Sequence, residues 1–356
     1  MTRYTPPDTI ARFVNATEGK LPFKVIGTSV AQRSIYGLEI GSGSIKVLLW
    51  SQMHGNESST TRALLRFLEA YTQEVRFSFL EKLTLYIIPQ LSPDGAAAFT
   101  RLNANGVDLN RDAEAQTQPE SKVLARIFKD FQPDYALNLH GQRTIFAAGE
   151  GGKPATLSFL APAADPKRTI PAQRLVAMQL IAALCDDLSG LKGAIGRYDD
   201  SYNAHCVGDR FMSAGVPTLL FEAGHYPEDY QRNRTTDWIY KALLSCFDHI
   251  AQQDFNHKSI ADYEAIPQNH KGYVDLIVSD VSLQVDGKNY THQQLAVQYE
   301  ERLQDDKLLL IPVFHRFGSE LPLRGHRYKT LQNEEKSTFW PFRVGETVDF
   351  LENITI

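Results

Sequence analysis

A histidine and a glutamate with metal-ligand spacing directly follow a strongly apolar run. His54 and Glu57 lie in the segment Met53-His54-Gly55-Asn56-Glu57, just after the run at 45–50. Open α/β folds hold their ligands at the carboxyl ends of strands. A catalytic zinc ion takes three protein ligands, typically histidine nitrogens and carboxylate oxygens, and keeps a fourth position open. The pair therefore indicates most of a zinc site, and a third ligand is expected at the end of another strand.

His140 is the candidate third ligand. It ends the apolar segment 135–140, so it would emerge at the same edge of a parallel sheet as the first pair. Taken alone, it is better explained as a hydrogen-bonded core histidine, but the pair before it reverses that preference in favour of a ligand. Three other histidines compete for this role, of which His225 is the strongest rival because it follows another apolar strand: His205, His225 and His249.

Glu222 closes the apolar strand 216–222. A carboxylate is costly to bury in such surroundings unless it is paired or functional. Beside a metal-bound water it could act as a general base that accepts the water's proton. The alternative is a structural ion pair with an arginine.

The segment 101–111 crowds two arginines and three asparagines into one polar stretch, with a turn expected at Asn105-Gly106. The planar guanidinium fork of arginine matches a carboxylate through two parallel hydrogen bonds. The segment is thus a candidate carboxylate-binding loop, although on its own a solvated charged loop is the simpler interpretation.

Alternating strands and helices must position these residues. Buried strands are predicted at 46–50, 83–89, 134–140, 156–161 and 216–222, and amphipathic helices at 58–71, 120–131, 171–188 and 236–251. This alternation predicts an α/β fold with a mixed, mostly parallel sheet flanked by helices.

The pattern changes after about residue 262. Segments 274–278, 281–285, 307–314 and 344–351 are strand-like, Asp286-Gly287 indicates a turn, and only 291–303 looks helical. We therefore expect a catalytic domain at 1–264 and a small β-rich domain at 265–356.

Composition narrows the classes of function. A net charge of −5 over 356 residues gives no basic surface for nucleic acid or for an anionic membrane. The three cysteines lack metal-type spacing and are expected to be free. No apolar leader or membrane span is apparent, so a cytoplasmic protein is expected. Nothing in the sequence indicates an oligomeric state.

Several of these motifs, in this order, resemble the zinc carboxypeptidases, the metallocarboxypeptidases related to pancreatic carboxypeptidase, and suit a bacterial-type member. The resemblance covers about residues 20–250. It is carried by His54-Gly55-Asn56-Glu57, Ser92-Pro93-Asp94-Gly95, the segment 105–111, His140 and Glu222.

The resemblance implies a role for each matching position. One zinc ion would be held by His54, Glu57 and His140, and Asp108 would support a ligand histidine. Arg101 would polarise the scissile carbonyl and Glu222 would be the general base. The substrate's free carboxylate would bind Asn110 and Arg111, and a closing tyrosine is expected at Tyr202, with Tyr198 as its competitor.

The resemblance implies zinc-dependent hydrolysis of a C-terminal peptide bond. The alternative is an N-acyl amino acid amidohydrolase, similar to the succinylglutamate desuccinylase and aspartoacylase branch, which shares related motifs and an added β domain. A further alternative is a non-catalytic zinc- or peptide-binding module. The expected partner is thus a peptide or an N-acyl amino acid with a free carboxylate.

Overall fold

A computed structural model of the chain describes residues 2–331 and 338–355. Its helices are α1 (Pro7–Ala16), α2 (Ser59–Thr72), α3 (Pro93–Ala98), α4 (Pro119–Phe131), α5 (Ala172–Asp187), α6 (Val207–Ser213), α7 (Asn233–Gln252) and α8 (Ile260–Glu264). Short 3-10 turns lie at Ser78–Glu81, Leu109–Arg111 and Ser189–Leu191.

The strands form a central sheet, a short two-stranded sheet and a carboxyl-terminal sheet. The first ten are β1 (Lys24–Thr28), β2 (Ser34–Gly41), β3 (Ile45–Ser51), β4 (Leu83–Ile88), β5 (Tyr135–Gly141), β6 (Phe146–Ala148), β7 (Leu157–Leu160), β8 (Ile195–Arg197), β9 (Thr218–Ala223) and β10 (Asn269–Lys271). The remainder are β11 (Tyr273–Val285), β12 (Lys288–Gln304), β13 (Lys307–Gly318), β14 (Arg324–Thr330), β15 (Phe339–Pro341) and β16 (Ile354–Thr355).

The central sheet has eight strands in the order β1-β2-β4-β3-β5-β9-β7-β8. Strands β4, β3, β5 and β9 run parallel to their neighbours in this series, and β7 pairs antiparallel with β9 and parallel with β8. At the other edge, β1, β2 and β4 pair antiparallel. The predicted mixed, mostly parallel sheet is confirmed.

Helices cover both faces of this sheet, which explains why its strands are apolar at successive positions. In β3, Val47 and Leu49 pack with α2, α5 and α7, whereas Leu48 and Trp50 pack with α4 and α6. All four side chains are fully buried. A strand buried on both faces needs an unbroken apolar run, and that run brings the chain to the sheet edge at Ser51.

The carboxyl-terminal strands form a second sheet in the order β14-β11-β12-β13-β16, with β15 paired to β11. Strands β11 and β12 form a hairpin whose turn residues, Asp286 and Gly287, both have positive φ angles of 49° and 75°. This geometry suits a two-residue hairpin turn, so the turn predicted there is confirmed.

Two predictions for this region were wrong. The segment 291–303, expected to be helical, lies within strand β12, because it pairs along its length with both β11 and β13. Such non-local pairing overrides a local helical pattern. The segment 344–351, expected to be a strand, contains only an isolated bridge at Thr347 and a turn in which Gly345 has a φ of 83°.

Direct contacts join the second sheet to the first. Arg3 forms an ion pair with Glu301, Tyr230 donates a hydrogen bond to Asp275, and Gln298 donates to Thr144. The division at residues 264 and 265 remains a prediction. None of the helices formed by the described residues is both long and apolar enough to cross a membrane.

Candidate active site

The loop between β3 and α2 carries the first two predicted metal ligands. Glu57 N donates to His54 O at 3.1 Å, so a tight turn places both side chains on the same side. Gly55 lies within this turn against the backbone of Gly95, where a Cβ atom would come within 1.8 Å of a carbonyl carbon. The close approach therefore requires glycine at this position.

The third predicted ligand arrives from the neighbouring strand. His140 lies near the end of β5, and its register partner on the parallel strand β9 is Glu222. Gly141 N donates to Oε2 of Glu57 at 3.0 Å, which fixes the carboxylate against the end of β5. The sheet thus brings the predicted ligands and the predicted base to one edge.

The ligand atoms of His54, Glu57 and His140 lie within 4.8 Å of one another, and no other such group is found in residues 2–331 and 338–355. Nδ1 of His54 lies 2.9 Å from Oε1 of Glu57 and 3.1 Å from Nδ1 of His140, which lies 2.9 Å from Oε2 of Glu57. A tetrahedral ion with bonds of about 2.0 Å sets its ligand atoms roughly 3.3 Å apart. These three residues, which we call the metal group, therefore fit a zinc ion.

Asp108 contacts the nitrogen of His54 that faces away from this group. Nε2 of His54 lies 2.9 Å from Oδ1 of Asp108. A neutral ring that donates this hydrogen bond keeps the lone pair of Nδ1 for a metal ion. Oδ1 of Asp108 also accepts from Asn110 N at 2.9 Å. Carboxylates that orient ligand histidines in this way are typical of zinc sites.

The pKa values of these three side chains are shifted by burial and by the charges and hydrogen bonds of their neighbours. Burial alone would lower the pKa of His54, but the charge of Glu57 and the hydrogen bond to Asp108 raise it above its usual value. Burial lowers the pKa of His140 despite its contact with Glu57. Burial opposes ionisation of Glu57, yet the two histidines hold its pKa well below the usual range. The carboxylate is therefore charged and available as a ligand.

Glu222 lies next to this group with a raised proton affinity. Burial, followed by the negative charge of Glu57, raises its pKa well above the usual value, and Arg101 only partly opposes this. Its Oε2 atom is buried and has no hydrogen-bond partner among the described residues. None of the described arginines forms an ion pair with Glu222. Such an ion pair was the alternative explanation for this residue in the sequence analysis.

Arg101 reaches the group from the polar loop. Its side chain is 46% exposed and contacts Oδ2 of Asp108 at 3.0 Å and Oε1 of Glu57 at 3.4 Å. The guanidinium therefore lies beside the metal group and lines the cavity that contains it.

Asn110 and Arg111 follow in the 3-10 turn of the same loop. Oδ1 of Asn110 accepts from Val207 N at 3.1 Å, which ties the turn to the start of α6. Arg111 is exposed, and its Nη1 donates to Asn110 O at 2.8 Å and contacts Sγ of Cys206 at 3.0 Å. Both side chains line the same cavity as the metal group.

The two candidate tyrosines also line this cavity. Burial, followed by the charges of Glu222 and Glu57, raises the pKa of the Tyr198 hydroxyl. Its ring packs against Phe146, with 5.4 Å between ring centroids. Tyr202 is partly buried, and its role stays a prediction.

The rival histidines lie elsewhere. His205 is exposed and contacts Glu114, and His249 contacts Asp187 and Asp254. His225 is 1% exposed and packs against Tyr230 and His326. All three lie outside the group formed by His54, Glu57 and His140.

The cavity measures about 1120 Å³ and includes residues that sequence reasoning missed. These come from the first residues of the chain, from the end of β5, from the start of α7 and from the second sheet: Arg3, Arg143, Arg232, Asp275, Gln298 and Tyr299. Of these, only Arg143 had a signal in the sequence, its position three residues after His140. The others meet the site through tertiary packing.

The comparisons with known proteins find carboxypeptidases. The family described as zinc carboxypeptidase matches residues 10–147. Carboxypeptidase 2 of Trichophyton equinum is 28% identical over 146 residues, which is 40% of this chain and 26% of the relative. The human carboxypeptidase N catalytic chain is 26% identical over 188 residues, which is 38% of this chain and 41% of the relative. The chain thus spans about a quarter of the fungal relative and less than half of the human one.

Solved structures share the fold at lower identity. A metallo-carboxypeptidase from Burkholderia cenocepacia has a TM-score of 0.55 and 16% identity, covering 69% of each chain. A metallo-carboxypeptidase from Pseudomonas aeruginosa, solved with (2-guanidinoethylmercapto)succinic acid, has a TM-score of 0.54 and 20% identity, covering 68% of each chain. The fold expected from the motifs is therefore confirmed, and residues 10–147 of this chain are similar to the zinc carboxypeptidase family.

Proposed function

We propose that this protein is a zinc-dependent hydrolase that removes a C-terminal amino acid from a peptide. The observation that carries the proposal is the convergence of His54, Glu57 and His140 in one cavity with Glu222, whose Oε2 has no partner among the described residues. Three nitrogen and oxygen ligands with an adjacent carboxylic base are the parts that metal-assisted amide hydrolysis needs.

His54, Glu57 and His140 would hold the ion, and Asp108 would keep His54 in the required tautomer. A bound zinc ion lowers the pKa of water to about 7 and polarises a carbonyl oxygen. Glu222 accepts the proton that the attacking water loses and returns it to the leaving amine. Its raised pKa suits this exchange, since a base must both take and release the proton.

Charged groups of the polar loop would orient the substrate. Arg101 donates hydrogen bonds to the carbonyl oxygen as negative charge develops on it. Asn110 and Arg111 bind the free carboxylate, which sets the distance between that carboxylate and the bond to be cut. Tyr202, or Tyr198 in the field of Glu222, closes over the bound substrate.

Hydrolysis of two matched panels tests this proposal. Blocked dipeptides and N-acyl amino acids with the same C-terminal residue are incubated with zinc-loaded protein, with chelator-treated protein and with the Glu222→Gln variant. We expect cleavage of the dipeptides that both the chelator and the substitution abolish. Cleavage that survives the chelator, or the absence of any cleavage by protein with stoichiometric zinc, would refute the proposal.

Hydrolysis of N-acyl amino acids is the second candidate. The observation in its favour is that Gln298 and Tyr299 of the second sheet form part of the cavity wall. We infer that this wall limits the length of the substrate and favours a small acyl group over a long peptide. Cleavage confined to the acyl panel would establish this activity. A cytoplasmic location remains a prediction from the sequence.

A further inference from the structure

A second group of arginines lines the cavity and comes from parts of the chain other than the loop that carries Arg101 and Arg111. Arg3 comes from the first residues of the chain, Arg143 from the loop after β5 and Arg232 from the residue before α7. Three separate parts of the chain thus contribute guanidinium groups to the cavity wall. We call the part of this wall around Arg232 the Arg232 end.

Arg232 is the central member of this group. It is 3% exposed, and its Nη2 donates to Gln142 O at 3.2 Å. Its Nη1 is buried and has no hydrogen-bond partner among the described residues. A buried charged donor without a partner lowers the free energy of unfolding. An acceptor on a bound ligand would remove this cost, and none of the described residues provides one.

The nearby acids already have partners of their own. Glu301 pairs with Arg3. Asp275 accepts hydrogen bonds from Gln298, from Tyr299 N at 2.7 Å and from Tyr230 at 3.1 Å.

Two further observations concern the remaining acid and the remaining arginine at this end. Asp229 accepts from Asn233 N and Thr235 N at the start of α7. Arg143 is exposed and forms no side-chain ion pair with any described residue. The Arg232 end therefore has unused guanidinium donors.

Hydrogen bonds connect this end to the metal group. Arg101 contacts Glu57, Glu57 accepts from Gly141 N, and the next residue, Gln142, accepts from Arg232. Gln142 lies two residues beyond His140, which is about 7 Å along a strand. A ligand of dipeptide size can therefore contact the metal group and the Arg232 end together.

We propose that the Arg232 end binds a second carboxylate of the substrate, on the acyl side of the bond that is cut. The planar forks of Arg232 and Arg143 suit a carboxylate. This carboxylate comes either from an acidic side chain next to the scissile bond or from the free end of a dicarboxylic acyl group. The inference deepens the proposed function and rests on it for the position of the scissile bond.

Calorimetric titration of the zinc-loaded Glu222→Gln protein tests this inference without turnover. One pair of probes is N-succinyl-leucine and its amide analogue N-succinamoyl-leucine. The other pair is N-acetyl-glutamyl-leucine and N-acetyl-glutaminyl-leucine. We expect about 10- to 100-fold tighter binding of the carboxylate in at least one pair, as one or two charged hydrogen bonds provide. The pair that shows the preference identifies the source of the carboxylate.

Substitutions in the same background assign the effect to its residues. Arg232→Gln and Arg143→Gln should each reduce the preference, and Arg12→Gln, on the exposed face of α1, should leave it unchanged. Since Arg232 is buried, Arg143→Gln keeps the test valid if Arg232→Gln fails to fold. Equal affinity within both pairs, or a preference that Arg143→Gln leaves intact, would overturn the inference. If the Glu222→Gln protein shows the binding preference but the zinc-loaded protein without substitutions cleaves neither panel, the proposed function alone is refuted.

Discussion

The imidazole of His54 is held between two carboxylates, with Asp108 accepting from Nε2 at 2.9 Å while Nδ1 faces Glu57 at the same distance. These two contacts hold the ring in one orientation, and donation from Nε2 to Asp108 would leave Nδ1 free to bind the metal. Asp108→Asn should weaken zinc binding about 10- to 100-fold, because an amide orients the ring less firmly and leaves it less basic. Competition with a chromogenic chelator measures this change, and unaltered affinity would remove Asp108 from its supporting role.

Glu222→Gln should reduce turnover about 100- to 10,000-fold while zinc stays bound, because the amide cannot accept the proton. The substitution keeps the shape of the side chain, so the fold and the cavity are retained. Hydrolysis rates and metal content are measured on the same sample. A variant that keeps most of its activity would show that another group acts as the base.

His140→Ala should lose bound zinc, since only two of the three protein ligands remain. His225→Ala is the matched control, because His225 is also buried and follows β9 but packs against Tyr230 and His326. Metal content determined by atomic emission separates the two variants. Zinc lost from His225→Ala and retained by His140→Ala would reverse the assignment of the third ligand.

Arg111→Ala should raise KM for substrates with a free C-terminal carboxylate about tenfold or more, because one charged hydrogen-bonding partner is lost. Substrates with an amidated C-terminus lack that charge and should be affected much less. The ratio of kcat/KM between the two substrate types measures the effect. An equal loss on both types would exclude a carboxylate clamp at Arg111.

Stability should fall between about pH 6.5 and pH 4 because of His326. Burial lowers the pKa of this side chain to about 4, although its hydrogen bond to Thr144 O opposes the shift. The unfolded chain binds the proton near pH 6.5 and the folded chain does not, so acid favours unfolding. The loss from about pH 7.5 to pH 5 is about 2 kcal/mol.

Urea unfolding at the two pH values measures this loss. His326→Gln keeps a donor toward Thr144 and should flatten the pH dependence by most of that amount. A pH dependence that the substitution leaves unchanged would assign the effect to other groups.

The site residues that could be predicted from the sequence are those that lie next to a recognisable sequence pattern. His54, Glu57, His140 and Glu222 each lie at or just after the end of an apolar strand, and parallel strands bring such ends to one edge. Arg232 gave no comparable signal. Its place in the cavity depends on a hydrogen bond to Gln142 O, 90 residues away, and on the packing of the second sheet.

The elements of the fold likewise divide into those that a local sequence pattern predicts and those that depend on distant residues. The strands of the central sheet were predictable because burial on both faces demands apolar runs. Strand β12 was not, because only Leu295 to Gln298 are buried in succession and its pairing with β11 and β13 is decided by distant residues. The short helix α1 was also missed, since Ile10 is its one buried residue.

The ion pair between Arg3 and Glu301 links the beginning of the chain to a strand almost 300 residues later and has a consequence for biosynthesis. Ser58 also donates a hydrogen bond to Arg3 O, so the first residues dock beside the metal loop. All eight strands of the central sheet and the three candidate metal ligands precede Glu301 in the chain. The part of the cavity wall that the second sheet provides is therefore the last part to be synthesised.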